Sequence, residues 1–115
     1  MNEINLQVLL KAIVNTDTNA EKSFFVDVSN LSILKLRDII IVLGKVIYED
    51  LNEGVYIVEI KGGLLKKNPA YAALHLDDDN LQITIIAKEG IINQRTCEGV
   101  ANEITRSLEK YTHEK

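Results

Sequence analysis

The sequence predicts an α+β fold: an antiparallel sheet of about five strands with two helices, in the order β-β-α-β-β-β-α. Three observations carry this expectation. The first is a hairpin at Ala70–Lys88, where two alternating arms flank the turn-prone cluster Asp77-Asp78-Asp79-Asn80. Pairing Asp77 with Asn80 sets Leu76–Leu81, Leu74–Ile83, Ala72–Ile85 and Ala70–Ala87 on one face, all apolar. The other face then carries His75–Gln82, Ala73–Thr84 and Tyr71–Ile86. A slip of one residue would mix the two faces, so the register is specified. The second observation is the stripe Cys97, Val100, Ala101, Ile104, Leu108 and Tyr111, which predicts an amphipathic closing helix from Asn93 to about Tyr111. The third is a set of short, branched, alternating segments elsewhere in the chain.

Ile4–Asn15 places Ile4, Leu6, Val8, Leu10, Ala12 and Val14 at period two, which reads as a strand. Leu9, Leu10, Ile13 and Val14 also cluster at helical spacing. Thr16–Lys22 is polar and turn-like, and Ser23–Val28 forms a second strand. Ser29-Asn30 offers a helix N-cap. Leu31–Leu51 reads as a helix through Ile33, Leu36, Ile40, Leu43, Ile47 and Leu51, stopped by Asn52-Glu53-Gly54. The β-branched run Ile39–Leu43 and the interrupting Gly44 keep open an alternative, a strand from Ile39 to Tyr48 hairpinned into the next one. Val55–Lys61 is a strand, and 62–69 is a loop holding the only proline. Longin and profilin-like domains share the order strand, strand, helix, three strands, helix. None of their sequence motifs occurs here, so the likeness is one of element order and carries no function.

At 115 residues the chain reads as a single domain, 1–115, long enough to bury a core without staples. A net charge of -4 and a pI near 5.1 argue against a general binder of nucleic acid or membrane surface, which needs basic surface. One cysteine excludes an intramolecular disulfide and a cysteine-based zinc site. The first residues lack a signal pattern, and no apolar run reaches the ~18–20 residues of a membrane helix. The reading is a soluble, cytoplasmic protein, with no nucleic acid and no membrane among its partners.

The chemistry-bearing motifs are sparse. Lys61-Gly62-Gly63 through Lys66-Lys67 lacks the spacing of a phosphate loop. The consecutive acids Asp77–Asp79 lack the alternation and closing Glu of a calcium loop. His75 has no acid beside it in sequence except those of the turn, and His113 is not spaced to pair with it as a metal ligand. Cys97 sits on the apolar stripe, where it reads as structural. Arg95 opposes the dipole at the start of that helix. No catalytic residue, metal site or cofactor is assigned, and an enzyme is the least favoured class.

The most informative feature is the second sheet face. Leu9, Ile13, Phe25, Ile57, Tyr71 and Ile86 make it too apolar to lie fully in water. A helix on each face, a second copy, another partner or a ligand would cover it. The expectation is a non-enzymatic interaction or assembly module, a homodimer or a binder of another protein. Its interface or ligand residues would be Tyr71, His75, Gln82, Thr84, Ile86, Ile57 and Phe25. A small-molecule site for a metabolite or nucleotide, with Tyr71, His75, Gln82, Thr84 and Lys88 lining it, is the alternative.

Overall fold

The computed structural model describes residues 5–14, 18–60, 70–88 and 96–113. The elements are α1 (Leu6–Ile13), β1 (Ala20–Asp27), α2 (Ile33–Leu43), β2 (Lys45–Asp50), β3 (Val55–Ile60), β4 (Ala70–Asp77), β5 (Asn80–Ala87) and α3 (Thr96–His113). The fold is α+β on a five-stranded antiparallel sheet, ordered β1-β5-β4-β3-β2. The class agrees with the sequence reading. The element order differs, because the described residues form three helices and the first described element is one of them.

The β4–β5 hairpin adopts the predicted register at every pair, from Asp77↔Asn80 to Ala70↔Ala87. Asp78 takes the left-handed conformation in its turn, with φ 56°, a geometry short polar side chains tolerate best after glycine. The strand predicted at Ser23–Val28 is β1, which pairs with β5 from Ala20↔Ala87 to Asp27↔Asn80. The closing helix buries Cys97, Val100, Ala101, Ile104 and Leu108, the stripe the spacing predicted. Its proposed cap, Asn93, lies outside the described residues, as do Arg95 and the loop 62–69.

Two segments take a different form. Residues 6–13 are a helix, not a strand, because period two and period 3.6 overlap in this apolar-rich stretch. Asn5 resolves the ambiguity locally: its side chain accepts a hydrogen bond from the Val8 N–H at 3.1 Å, an N-cap contact. Packing completes the choice. Leu6, Leu10 and Val14, four apart, are buried, whereas Val8 of the alternating set is exposed.

The long helix predicted over Leu31–Leu51 is the shorter α2, followed by β2. Its cap is Ser32, whose hydroxyl accepts from the Lys35 N–H at 3.1 Å, and not Ser29-Asn30, which form a turn. The helix ends at Gly44, where β3 crosses so close that any Cβ would overlap the Glu59 carbonyl. Ile47 and Leu51 therefore leave the helical stripe and enter β2 and the turn after it. Gly54 stops no helix. It turns β2 into β3 with φ +71°, and Leu76 donates its N–H to the Gly54 carbonyl at 2.9 Å.

The two edge strands, β1 and β2, lie four antiparallel steps apart and so run parallel to one another. Helix α2 carries the chain across the sheet between them. Together α2 and α3 cover one face, over a core built on Tyr56, Leu74, Ile83 and Ile85. Tyr56 is fully buried, and its hydroxyl donates to the Ile33 carbonyl at 2.9 Å, tying the start of α2 to the sheet. Burial raises the Tyr56 phenol above its ordinary value, and the charge of Glu49 adds to the effect. A phenol raised in the folded state contributes stability that is intact below the unfolded value near 10 and lost as pH rises through the folded one. Tyr56→Phe is expected to cost about 0.5–1.5 kcal/mol at neutral pH through the lost hydrogen bond. It should also flatten the alkaline fall in stability. Urea denaturation from about pH 8 to about pH 11 reads both effects.

Candidate functional site

The sheet's second face can be read row by row from the strand register, since directly paired residues share a face. One row runs Glu21, Ile86, Tyr71, Glu59, Lys45 from β1 to β2. The next is Ser23, Thr84, Ala73, Ile57, Tyr48, and the third is Phe25, Gln82, His75, Val55, Asp50. All seven residues expected to form an interface or ligand surface therefore lie on this one face. Their apolar neighbours Leu9 and Ile13 do not belong to a strand. They come from α1, which lies across the face.

Helix α1 divides the seven into two groups. Its Leu6, Leu10 and Val14 pack with Val55, Ile57, Tyr71 and Ile86 into a second, smaller core. Ile57 is 0% exposed and Ile86 2%. Thr84 is buried too, and its hydroxyl shares a 3.0 Å hydrogen bond with that of Ser23. The Tyr71 hydroxyl donates to the Glu59 carboxylate at 3.1 Å. The amide of Gln7 reaches Glu21 at 2.8 Å, fastening α1 toward β1. The remaining three form the open row: Phe25 is 65% exposed, and Gln82 and His75 are half-buried.

The other candidates fall apart in space. Cys97, on the sheet-facing side of α3, is buried with its thiol 3.8 Å from the Ile85 carbonyl, a core position. Asp77, Asp78 and Asp79 are exposed in the turn. Lys61–Lys67 and Arg95 lie outside the described residues, and so does the side chain of His113. Among the described residues, no three His, Cys, Asp or Glu side chains gather as metal ligands. No described helix is long and apolar enough to cross a membrane.

Two surface features were missed at the level of sequence. The first surrounds the outer edge of β2. Arg37 of α2 bridges to Glu49 of β2 at 3.0 Å, which further raises the guanidinium's affinity for its proton. Leu34 and Ile41 sit three before and four after Arg37 on the same side of the helix. They are exposed, as are Ile47 in β2 and Leu51 just beyond it. The signal was present in Ile39–Leu43: five consecutive apolar residues exceed what one buried helix face can take. The second feature is a groove between α2 and α3 with a volume of about 340 Å³, lined by Lys35, Asp38, Ile39, Val42, Ser107, Lys110 and Tyr111. It lies across the sheet from Tyr71, His75, Gln82 and Thr84.

Leu10 is the central side chain of the α1 contact. Leu10→Ala is expected to lower stability by about 2–5 kcal/mol, the range for a buried leucine, measured by urea denaturation. Loosening α1 should also uncover Ile57, Tyr71 and Ile86, read as a rise in the fluorescence of a hydrophobic dye. No protein-family model, curated protein or solved structure matches this chain.

Proposed function

We propose that this chain is a non-enzymatic interaction or assembly module that associates with itself. The observation supporting this reading is the band of exposed large apolar side chains along one sheet edge: Leu34, Ile41, Ile47 and Leu51. Scattered apolar residues are ordinary on a protein surface, but several beside the outer edge of a sheet favour a partner that covers them. Most of the sheet face expected to serve as the interface is occupied by α1, which moves the favoured surface to the edge. Phe25, Gln82 and His75 remain as a smaller accessible patch near the opposite edge. A two-fold dimer is the simplest closed assembly that covers such an edge. Size-exclusion chromatography with light scattering should return twice the 12.9 kDa chain mass at tens of micromolar. A strict monomer up to about 0.2 mM would overturn the reading.

The α2–α3 groove favours a second reading, a small-molecule site. Its volume falls at the lower end of known ligand sites. Lys35 and Lys110 beside Ile39 and Val42 would suit an anionic metabolite or a nucleotide. A nucleotide that raises the melting temperature of the wild type and not of a Lys35→Glu/Lys110→Glu variant would support it. No shift across mono-, di- and triphosphates would remove its nucleotide form.

A further inference from the structure

We propose that two copies join edge to edge, β2 pairing antiparallel with β2 of the second copy about a two-fold axis between Ile47 and Tyr48. The proposal rests on the self-association reading above and specifies its surface. Among the described residues β2 pairs only with β3, and its outer edge has no partner strand there. Helix α2 flanks that edge through the Arg37–Glu49 bridge, and the exposed Leu34, Ile41, Ile47 and Leu51 surround it.

The choice of occupant follows from charge and from a bulge. In a regular strand Lys45 and Asp50, five residues apart, would point to opposite faces. In β2 the register slips between Val46 and Tyr48, with Ile47 as the extra residue. Lys45 then faces the same way as Glu59, and Asp50 the same way as Val55, so both ends of β2 lie on the α1 face. A two-fold antiparallel pairing with Ile47 opposite Tyr48 sets Lys45 against Asp50 of the second copy, on a common face. The same pair recurs by symmetry. Val46 and Glu49, which share the α2 face, meet in the same register.

The opposite edge lacks this complementarity. Strand β1 alternates without a bulge, so the corresponding same-face register sets Glu21 against Asp27 of a second copy, carboxylate against carboxylate.

Sedimentation equilibrium on the full chain tests the pairing. Lys45→Glu alone and Asp50→Lys alone should each weaken the dimer by at least about tenfold, because every substitution appears twice across the axis. The double variant should return to within a few-fold of the wild type, a recovery that a general loss of folding would not give. Circular dichroism checks that each variant is folded, since Asp50 also accepts from the Glu53 N–H. If a charge variant does not fold, Lys45→Cys/Asp50→Cys gives the second measurement. Both cysteines of one copy are too far apart along β2 to bridge, so oxidation should yield a disulfide-linked dimer; monomer only would overturn the pairing. A dimer unaffected by Lys45→Glu and dissociated by Phe25→Asp would overturn the β2 pairing and leave self-association standing, through β1. A wild-type monomer would overturn both.

Discussion

The constraint on which the rest of the molecule depends is the two-sided burial of the β4–β5 hairpin. On one face Leu74, Ile83, Ala72 and Ile85 form the floor beneath α2 and α3. On the other, Tyr71, Ile86 and Ala73 form the floor beneath α1. Burying one large apolar side chain is worth roughly 1.5–3 kcal/mol, so a hairpin apolar on both sides cannot stand at a surface. It has to be central, and every other element is placed by covering it. Strand β1 flanks it on β5, β3 flanks it on β4, and helices close both faces. Small side chains at Ala70, Ala72, Ala73 and Ala87 let the covering layers approach closely.

Polar groups drawn into this arrangement are satisfied where they lie. Tyr56 reaches the Ile33 carbonyl, Thr84 the Ser23 hydroxyl, and Tyr71 the Glu59 carboxylate. Among the described residues no buried side-chain nitrogen or oxygen is left without a partner. Two of these contacts, Tyr56 to Ile33 and Thr84 to Ser23, span distant parts of the chain. They fix α2 and β1 against the central strands, where apolar packing alone would leave orientation looser.

Helices cover most of both faces, which leaves the edges and the open row of Phe25, Gln82 and His75 as the remaining surface of consequence. The middle of the sheet is shielded by helices, whereas β1 and β2 each have one side without a partner strand among the described residues. Their charge patterns differ. The bulge in β2 rotates Lys45 and Asp50 onto one face, and α2 supplies an exposed apolar stripe beside them. The single extra residue Ile47 thus sets which charged residues share a face along this edge.

The local sequence of Ala70–Lys88 determined the central hairpin down to its register, because only one pairing separates its apolar and polar positions. Local sequence elsewhere likewise determined α3, whose apolar stripe has a single helical reading, the strand β3, and the presence of β1, though Ala20–Lys22, read as part of a turn, belong to that strand. It revealed that the second face was too apolar to stay open. It did not decide what covers that face. Ile4–Asn15 reads as a strand by its alternation although helical spacing is also present, and the Asn5 cap favours the helix Leu6–Ile13 only once Leu6 and Leu10 have a sheet to pack on. The end of α2 at Gly44 depended on a strand fifteen residues further on: Glu59 leaves no room for a Cβ there. That same approach placed Ile47 and Leu51 at an edge and not in a helix. Periodicity reports which side of an element is apolar. Which neighbour meets that side, and which apolar residues stay exposed, is decided by contacts between segments far apart in the chain.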